Sequence, residues 1–324
     1  MTVTVFTPSY NRAHTIFRVY KSLMAQTVKD FEWIIVDDGS MDDTALIVKQ
    51  WENEGNLNIR FIQQTNRGKF TTLLETIERA EGEWFLIADS DDEFEPNTIE
   101  VFMNTYNLLP DDVKPTIAGI SCLVKDSVTR EVVGGEFPIP KGENYLLSDV
   151  NEISFKFGIR GEKWGILKTD VLREFAKKLP DTEGSHYISE NILWVSIATK
   201  YKTVYLNEPL RIYFQGTSDT LSSRNIAGRY PLGAWISERV ILPCIFKYYW
   251  HQPKIITLSA VKLNYAAIAA GKTMRQTIAG FSFMLIVFMF ITKPLGHLAF
   301  LDFLSRISII LNIQGINEYR VHLI

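Results

Sequence analysis

The sequence has only two cysteines, Cys122 and Cys244, and they lie far apart. A disulfide framework needs more, so we expect two buried thiols in a reducing compartment. The first residues, MTVTVFTPSYNR, lack the basic start and the long apolar core of a signal peptide, so we expect the bulk of the protein to stay in the cytoplasm. A net charge of −3 with 22% charged residues excludes a disordered chain and gives no bulk charge for nucleic acid.

Acidic residues are scarce towards the C-terminus. Between Pro243 and Leu311 the charge comes almost entirely from basic residues, which are Lys247, Lys254, Lys262, Lys272, Arg275, Lys293 and Arg306. A basic and apolar region of this kind suggests the surface of a membrane more than nucleic acid.

No apolar run is clearly long enough to cross a bilayer, which takes roughly 20 residues. The longest candidate, residues 277–292, carries no charge, and Lys293-Pro294 is expected to stop it. The next apolar run contains Asp302 and Arg306, which fits an interfacial helix better than a span. We therefore expect residues 226–324 to form a helical region that inserts shallowly into a membrane, with a true span and a soluble helical subdomain as alternatives.

The first hundred residues alternate between apolar runs and helical patterns. The predicted strands are 2–8, 31–38, 58–64 and 83–89, and the predicted helices are 14–26, 44–51 and 71–80. Such alternation indicates an α/β fold whose sheet is mostly parallel with helices on both faces. Further along, the patterns predict strands at 116–126 and 130–137, a strand and helix within 163–175, a helix at 189–201 and one or two strands within 202–214.

A polar cluster follows each of the first four predicted strands. The clusters are TPSYNR (7–12), DDGSMDDT (37–44), NRGK (66–69) and DSDD (89–92). Because the carboxyl ends of parallel strands meet at one edge of a sheet, where ligands bind, we expect the four clusters to share a site.

The glycine motifs that bind pyrophosphate are missing. The first strand-helix turn, TPSYNRAHT, has no glycine, and NRGKFTT lacks the spaced glycines of a P-loop. A divalent cation held by the carboxylates of DSDD would instead bind a diphosphate. The alternative is an acidic turn that caps the helix beginning near Pro96, although a cap needs one carboxylate and not three.

The segments VTVFTPSYNR, FEWIIVDDGSMDDT and NRGKFTTLLETIERAEGEWFLIADSDD resemble the family 2 glycosyltransferases of GT-A fold, closely over residues 2–105 and more loosely to about 225. The resemblance implies one domain over 1–225, with a nucleotide-binding half (1–110) and an acceptor half (111–225). It also implies inverting transfer of a sugar from a nucleotide-diphosphate donor, aided by Mn²⁺ or Mg²⁺.

Carried onto this sequence, the resemblance implies a role for each residue. Thr7, Pro8 and Tyr10 would line the base and ribose pocket, and Asp38 would accept a hydrogen bond from a uracil-like ring N–H. Arg67 or Lys69 would approach the base or the diphosphate. Arg12 is a further donor-site candidate, or a solvated helix start. Asp89 and Asp91 form the D-x-D motif, in which Asp91 or Asp92 would reach the metal and a neighbour the ribose.

The stretch that would carry the catalytic base departs from the family pattern, because the family's usual Glu-Asp pair reads Glu190-Asn191 here. An amide cannot take a proton, so Glu190 is the first candidate for the base and Asn191 would bind an acceptor hydroxyl. Asp181 and Glu183 are the runners-up, and His186 is a remote alternative. Glu190 can also be a helix N-terminal carboxylate with Ser189 as cap.

Two further features concern the acceptor. Trp164 would stack on the acceptor or close the donor pocket, with burial in the core as the alternative. Residues 215–223 would form a loop that orders over the diphosphate. The expected acceptor is a growing, polyprenyl-linked glycan of a bacterial surface polysaccharide, met at the inner face of the membrane. The alternatives are transfer onto a polyprenyl phosphate and a nucleotide-sugar-binding protein without activity.

Overall fold

The structure, a computed structural model, describes residues 2–159, 161–182, 184–185, 187–214, 226–249 and 251–313, and it describes their side chains except at 226–227 and 299–313. The chain divides into two compact units. The first comprises Met1–Asp181 and Leu193–Leu221, and the second comprises Thr182–Ile192 and Ser222–Ile324. The segment Thr182–Ile192, which the sequence assigns to the acceptor half, therefore groups with the C-terminal helices.

Within the described part of the first unit, the strands form one nine-stranded mixed sheet. They are β1 (Val3–Ser9), β2 (Phe31–Asp37), β3 (Ile59–Gln63), β4 (Trp84–Ile87), β5 (Glu93–Phe94), β6 (Ile117–Asp126), β7 (Leu146–Ser148), β8 (Trp164–Lys168) and β9 (Lys202–Tyr213). Their order is β3-β2-β1-β4-β8-β6-β9-β5, with β7 paired to β9. The pairs β3-β2, β2-β1, β1-β4 and β6-β9 are parallel, whereas β8, β5 and β7 run antiparallel to their neighbours. The predicted α/β fold with a mostly parallel sheet is confirmed.

The helices that the structure describes follow the sequence pattern closely over the first hundred residues. They are α1 (Phe17–Met24), α2 (Thr44–Glu54), α3 (Lys69–Arg79), α4 (Thr98–Leu108), α5 (Thr169–Ala176), α6 (Asn191–Ile197), α7 (Ile226–Arg229), α8 (Pro231–Tyr249), α9 (Pro253–Ala269), α10 (Met274–Ile278) and α11 (Phe283–Ile313). A 3-10 turn at Lys114–Thr116 and a π-helical turn at Glu152–Lys156 complete the set for the residues described.

The central strands are buried along their whole length, as strands covered on both sides must be. Every residue of β1 and β2 is buried, and Trp33, Ile35, Trp84 and Leu86 lie in the main core. One predicted strand, 130–137, is wrong: in the part of the chain described, only an isolated bridge between Lys125 and Val132 remains there. Gly134 and Gly135 take positive φ angles of 91° and 94°, which end extended pairing.

The helices of the C-terminal apolar region begin and end at other places than the sequence predicted. Residues 277–292 are split between α10 and α11 by a turn in which Gly280 has φ 85°. Pro294, expected to stop the run, lies inside α11 instead. Among the helices that the structure describes, none combines the length and the apolar character that a membrane crossing needs.

Candidate active site

The polar clusters after the first four strands lie at one edge of the sheet, as predicted. The strands β3, β2, β1 and β4 are adjacent and parallel, with Ser9 opposite Asp37 and Asp37 opposite Gln63. Asp38 follows β2, and its N–H donates to the Ser9 carbonyl at 2.8 Å. The carboxyl ends of these strands therefore carry their polar side chains together.

Asp38 organises the loop between β3 and α3. Its Oδ1 accepts hydrogen bonds from the Arg67 N–H at 2.8 Å and from Gln64 Nε2 at 2.9 Å, and its Oδ2 accepts from the Gly68 N–H at 2.8 Å. The residue is buried. A carboxylate has about four acceptor positions, so three bonds leave room for about one more donor. Asp38 can thus shape the loop and still receive a ring N–H.

Lys69 begins α3 and reaches the D-x-D turn. Its ammonium lies 2.7 Å from Asp89 Oδ1, and both side chains are about one-third exposed, at 31% and 30%. Burial opposes the ionisation of Asp89, but the positive charges of Lys69 and Arg211 outweigh it, so the pKa of Asp89 lies below its usual value. A cation and an ionised carboxylate are therefore held in contact at this edge, where a diphosphate would add negative charge.

Arg211, near the end of β9, was not predicted and lies at the centre of the acidic turn. Its Nε lies 2.7 Å from Asp92 Oδ2 and its Nη2 donates to Asp92 Oδ1 at 2.8 Å. The same Nη2 lies 3.7 Å from Asp89 Oδ2. Burial alone would lower the pKa of Arg211, but Asp92 and Asp89 raise it above its usual value. One charge-assisted hydrogen bond and a second close ion-pair contact thus hold Arg211 against the turn.

Asp92 is therefore poorly placed as the metal ligand that the sequence analysis offered. It is 1% exposed and both of its oxygens face Arg211. Burial raises the pKa of Asp92 to about 7, the charge of Arg211 opposes that rise, and the neighbouring carboxylates add to it. A carboxylate ligand must be ionised and reachable, and Asp92 is neither freely reachable nor strongly acidic.

Asp91 is the acid of the turn that stays available. Arg18 Nη1 donates to its backbone carbonyl at 3.1 Å and so anchors the main chain. Its half-buried carboxylate forms no hydrogen bond or ion pair with any residue that the structure describes. The described residues also contain no group of three or more acidic, histidine or cysteine side chains that would hold a metal by themselves. The turn fits Mn²⁺ or Mg²⁺ only as a site that substrate phosphate oxygens complete, which is how Mg²⁺ is usually bound.

The residues after β1 split into buried and accessible members. Thr7 is fully buried, and its hydroxyl accepts a hydrogen bond from Trp33 Nε1 at 2.9 Å. Pro8 is buried as well, whereas Tyr10 is 45% exposed. Burial leaves the side chains of Thr7 and Pro8 little surface to offer a ligand, and their place in the base and ribose pocket stays a prediction. Tyr10 and the half-buried Arg12, whose charge also lowers the pKa of Asp89, are the accessible candidates on this loop.

Trp164 belongs to the core and not to an acceptor surface. It is 7% exposed, its Nε1 donates to the Ile87 carbonyl, and its ring lies 5.4 Å from that of Phe94 and 6.1 Å from that of Phe102. This placement favours the alternative of core burial over a role in stacking on the acceptor or closing the donor pocket. Arg67 is half-exposed and pairs with Glu75, so its side chain turns along α3.

The candidates for the base lie further along the chain. Glu190 is half-buried and Asn191 is exposed at the start of α6, where Ser189 Oγ accepts from the Asn191 N–H at 3.4 Å. Asp181 is exposed in the first unit. Glu183, His186 and the 215–223 loop lie outside the described residues. The roles of Glu190, Asn191 and Asp181 stay predictions.

The comparisons with known proteins agree with this geometry. Residues 4–159 match the model of Glycosyl transferase family 2. The chain is 27% identical over 238 residues to the GalNAc(5)-diNAcBac-PP-undecaprenol beta-1,3-glucosyltransferase of Campylobacter jejuni, with 71% of each protein covered. It is 33% identical over 104 residues to the chondroitin synthase of Escherichia coli, which covers 32% of this chain but only 15% of that enzyme.

Among solved structures, S. aureus TarS 1–349 in complex with UDP-GlcNAc is similar with a TM-score of 0.57, covering 94% of this chain and 92% of that one. At 16% identity this likeness concerns the fold alone. Fold and sheet edge together define a GT-A-type domain. The chain carries a glycosyl transferase family 2 domain, and it is a glycosyltransferase.

Proposed function

We propose that the protein transfers a sugar, with inversion, from a nucleotide-diphosphate donor, in the first instance a UDP-sugar, to a lipid-linked glycan of a bacterial surface polysaccharide. The observation that carries the proposal is the gathering of Asp38, Lys69 and the D-x-D turn at one sheet edge. The Campylobacter relative is named for an undecaprenol-linked substrate and the TarS structure holds UDP-GlcNAc, and both support this donor and acceptor chemistry.

Each residue of the site has a part in donor binding. Asp38 accepts the ring N–H of the base through its remaining acceptor position, and Tyr10 packs beside the base. Lys69 leaves its ion pair with Asp89 and binds the diphosphate instead. Its positive charge then lies close to the leaving group. Asp91 would hold Mn²⁺ or Mg²⁺, which when bound neutralises charge that develops on the diphosphate. Arg211 and Asp92 keep the turn in position, and Asp89 reaches towards the ribose.

The acceptor hydroxyl loses its proton to a carboxylate, for which Glu190 is our first candidate and Asp181 and Glu183 are the others. Glu190→Gln keeps the shape of the side chain and removes the base. We expect the turnover number to fall by about 10²- to 10⁴-fold while donor affinity stays the same. Full activity of this variant would assign the base to Asp181 or Glu183.

The main test is a thermal-shift screen of nucleotide sugars with and without Mn²⁺, because a ligand that binds the folded state raises the melting temperature. We expect UDP-sugars to stabilise the protein more with Mn²⁺ than without it. The matched variants are Asp91→Asn, which should lose the Mn²⁺ dependence, and Asp111→Asn, an acid 97% exposed elsewhere, which should keep it.

Three outcomes would contradict the proposal. A screen in which GDP-sugars alone stabilise the protein would replace the donor. Stabilisation by UDP-sugars without any donor hydrolysis or transfer would favour the binding protein without activity, whereas hydrolysis that Asp91→Ala abolishes would exclude it. Transfer onto a plain polyprenyl phosphate and not onto a glycan would select the other enzymatic alternative.

A further inference from the structure

Helix α11 has two unlike faces in its described part. Leu285, Met289, Thr292 and Gly296 are buried and recur at helical spacing. The opposite face is apolar and open. Its members are Phe283 (80% exposed), Met284 (68%), Val287 (43%), Phe290 (53%), Ile291 (67%), Leu295 (47%) and Leu298 (62%). We refer to these seven residues as the α11 apolar face.

The buried face holds α11 firmly on α9. Asn264 of α9 is buried, and its Nδ2 donates to the Met289 carbonyl at 3.3 Å and to Thr292 Oγ1 at 3.2 Å. The two backbones approach closely at Gly296, where an added Cβ would meet the Cβ of Asn264 at 2.5 Å. The helix is therefore fixed in its orientation, and the apolar face is a stable feature of the second unit.

Single exposed apolar residues are ordinary, but a continuous stripe of large ones marks an interaction surface. The first unit shows the ordinary case, since Met41, Leu46 and Leu108 are exposed at separate places along its chain. On α11 the exposed residues recur at intervals of three and four over four turns, so they form one strip. A strip of this kind indicates a partner with an apolar surface.

The charged residues that precede the strip in sequence and those within it are basic. The sequence has no Asp or Glu between Glu238 and Asp302, whereas it has Lys and Arg throughout. Lys293 follows Thr292 and lies between the buried face and the strip. Its long side chain can extend beyond the apolar residues of the strip. Two more cations stand over one ring: Arg239 Cζ and Lys272 Nζ lie 4.9 Å and 5.1 Å from the centre of Trp235.

These two cations are linked in space to the turn that precedes the strip. Arg239 Nη2 donates to the Ala279 carbonyl at 3.1 Å, and Ala279 belongs to the turn that leads into α11. Neither Arg239 nor Lys272 forms an ion pair with an acid among the residues described. Positive charge without a protein counterion, next to exposed apolar side chains, matches an anionic and apolar partner.

We propose that the α11 apolar face binds the surface of an anionic lipid bilayer, with the helix lying in the interface and the surrounding Lys and Arg meeting lipid phosphates. This inference deepens the proposed function, since it rests on that proposal for the lipid-linked acceptor. A second copy of the chain is a poorer partner. A twofold interface would bring the basic residues near the strip, Arg239, Lys272 and Lys293, close to their own copies, which like-charge repulsion disfavours.

The test is sedimentation with vesicles in the absence of any donor or acceptor. The full-length protein should bind vesicles containing about 30% phosphatidylglycerol and bind neutral phosphatidylcholine vesicles weakly. Phe290→Ser/Ile291→Ser should reduce the partition coefficient by about tenfold, because it removes apolar area from the interface. The matched control Leu46→Ser/Leu108→Ser removes exposed leucines, 69% and 85% exposed, from the first unit and should bind like the wild type.

A second pair of variants tests the cations. Lys272→Gln/Lys293→Gln should weaken binding to the anionic vesicles by about fivefold or more and make the remainder less sensitive to salt. Lys49→Gln/Lys141→Gln, two exposed lysines of the first unit, is the control. Melting temperatures of all variants within about 2 °C of the wild type would show that the fold persists.

The possible failures are distinct. Equal binding by the serine pair and its control would overturn the inference, as would equal binding to neutral and anionic vesicles. A dimer in light scattering that Phe290→Ser/Ile291→Ser converts to a monomer would assign the face to a second copy. Donor hydrolysis in vesicle-free buffer reports on the catalytic proposal alone. If it persists while vesicle binding is absent, only the membrane inference fails.

Discussion

The first unit of this chain buries a few charged side chains and gives them partners, whereas the second unit exposes a row of large apolar side chains. Asp92 and Arg211 are nearly inaccessible and hold each other, and Asp38 holds three donors of a loop. On α11 the large side chains of Phe283 and Ile291 face outwards. The first arrangement fixes a geometry for chemistry, and the second leaves free energy to be gained from a partner.

The largest effect should come from breaking the buried pair. Arg211→Ala leaves the Asp92 carboxylate buried without its cation, and we expect the free energy of unfolding to fall by about 3–5 kcal/mol. Chemical denaturation measures this. Arg60→Ala, a half-exposed arginine of β3, should cost far less. The double variant Arg211→Ala/Asp92→Asn should recover part of the loss, and no recovery would contradict the pairing.

The loss of stability in Arg211→Ala should depend on pH. An Asp carboxyl ordinarily ionises near 3.8, but folded Asp92 ionises at about 7, so the folded state holds an extra proton between these values. Stability therefore falls as pH rises through that window. Without the charge of Arg211 the pKa of folded Asp92 would rise further, so the pH range over which stability falls would extend to higher pH. The loss in Arg211→Ala should be larger at about pH 8 than at about pH 6.

A smaller effect should come from the loop that Asp38 holds. Asp38→Ala removes the acceptor of three hydrogen bonds, two of them from backbone N–H groups, and we expect a loss of about 2–3 kcal/mol. Affinity for a UDP-sugar, measured by calorimetry, should fall as well. Asp112→Ala, an exposed acid, is the control and should change neither quantity.

The second unit can be tested at its closest packing. A Gly→Ala change inside a helix usually stabilises by about 1 kcal/mol. At Gly296 the new methyl group would meet Asn264 Cβ at 2.5 Å, so we expect Gly296→Ala to destabilise by about 1–2 kcal/mol. His297→Ala, an exposed neighbour on the same helix, should have little effect. A stabilising Gly296→Ala would show that α11 is held less tightly than described.

The smallest effect compares one substitution in both units. Ile35 is fully buried and Ile291 is 67% exposed. Ile35→Val should cost about 1 kcal/mol, because it opens space in a packed core. Ile291→Val should change the free energy of unfolding by less than about 0.3 kcal/mol. Equal costs in thermal unfolding would mean that the α11 apolar face is covered within the protein.

The sequence predicts the first unit well because its information is local. Alternation of apolar runs and helical patterns places β1 to β4 and α1 to α3, and parallel pairing then brings Asp38, Lys69 and Asp89 to one edge. These predictions need only periodicity and the direction of strands.

Long-range packing decides what the sequence leaves open. Trp164 and Thr7 are suitable for a binding site by type, and only the strands next to them determine that both are buried. Arg211 is separated from Asp92 by 119 positions, so the spacing of residues along the chain could not have revealed the pair. A lone arginine in the otherwise apolar end of β9 is the single local signal that could have marked it.

Pro294 within α11 limits how deeply this segment could sink into lipid. Proline has no N–H, so the carbonyl of Phe290 loses the donor four residues ahead that a regular helix would give it. In hydrocarbon an unsatisfied carbonyl costs several kcal/mol, whereas at the level of the headgroups water can hydrate it. Replacing Pro294 with alanine would remove that limit and should move tryptophans engineered along the helix closer to quenchers at the bilayer centre.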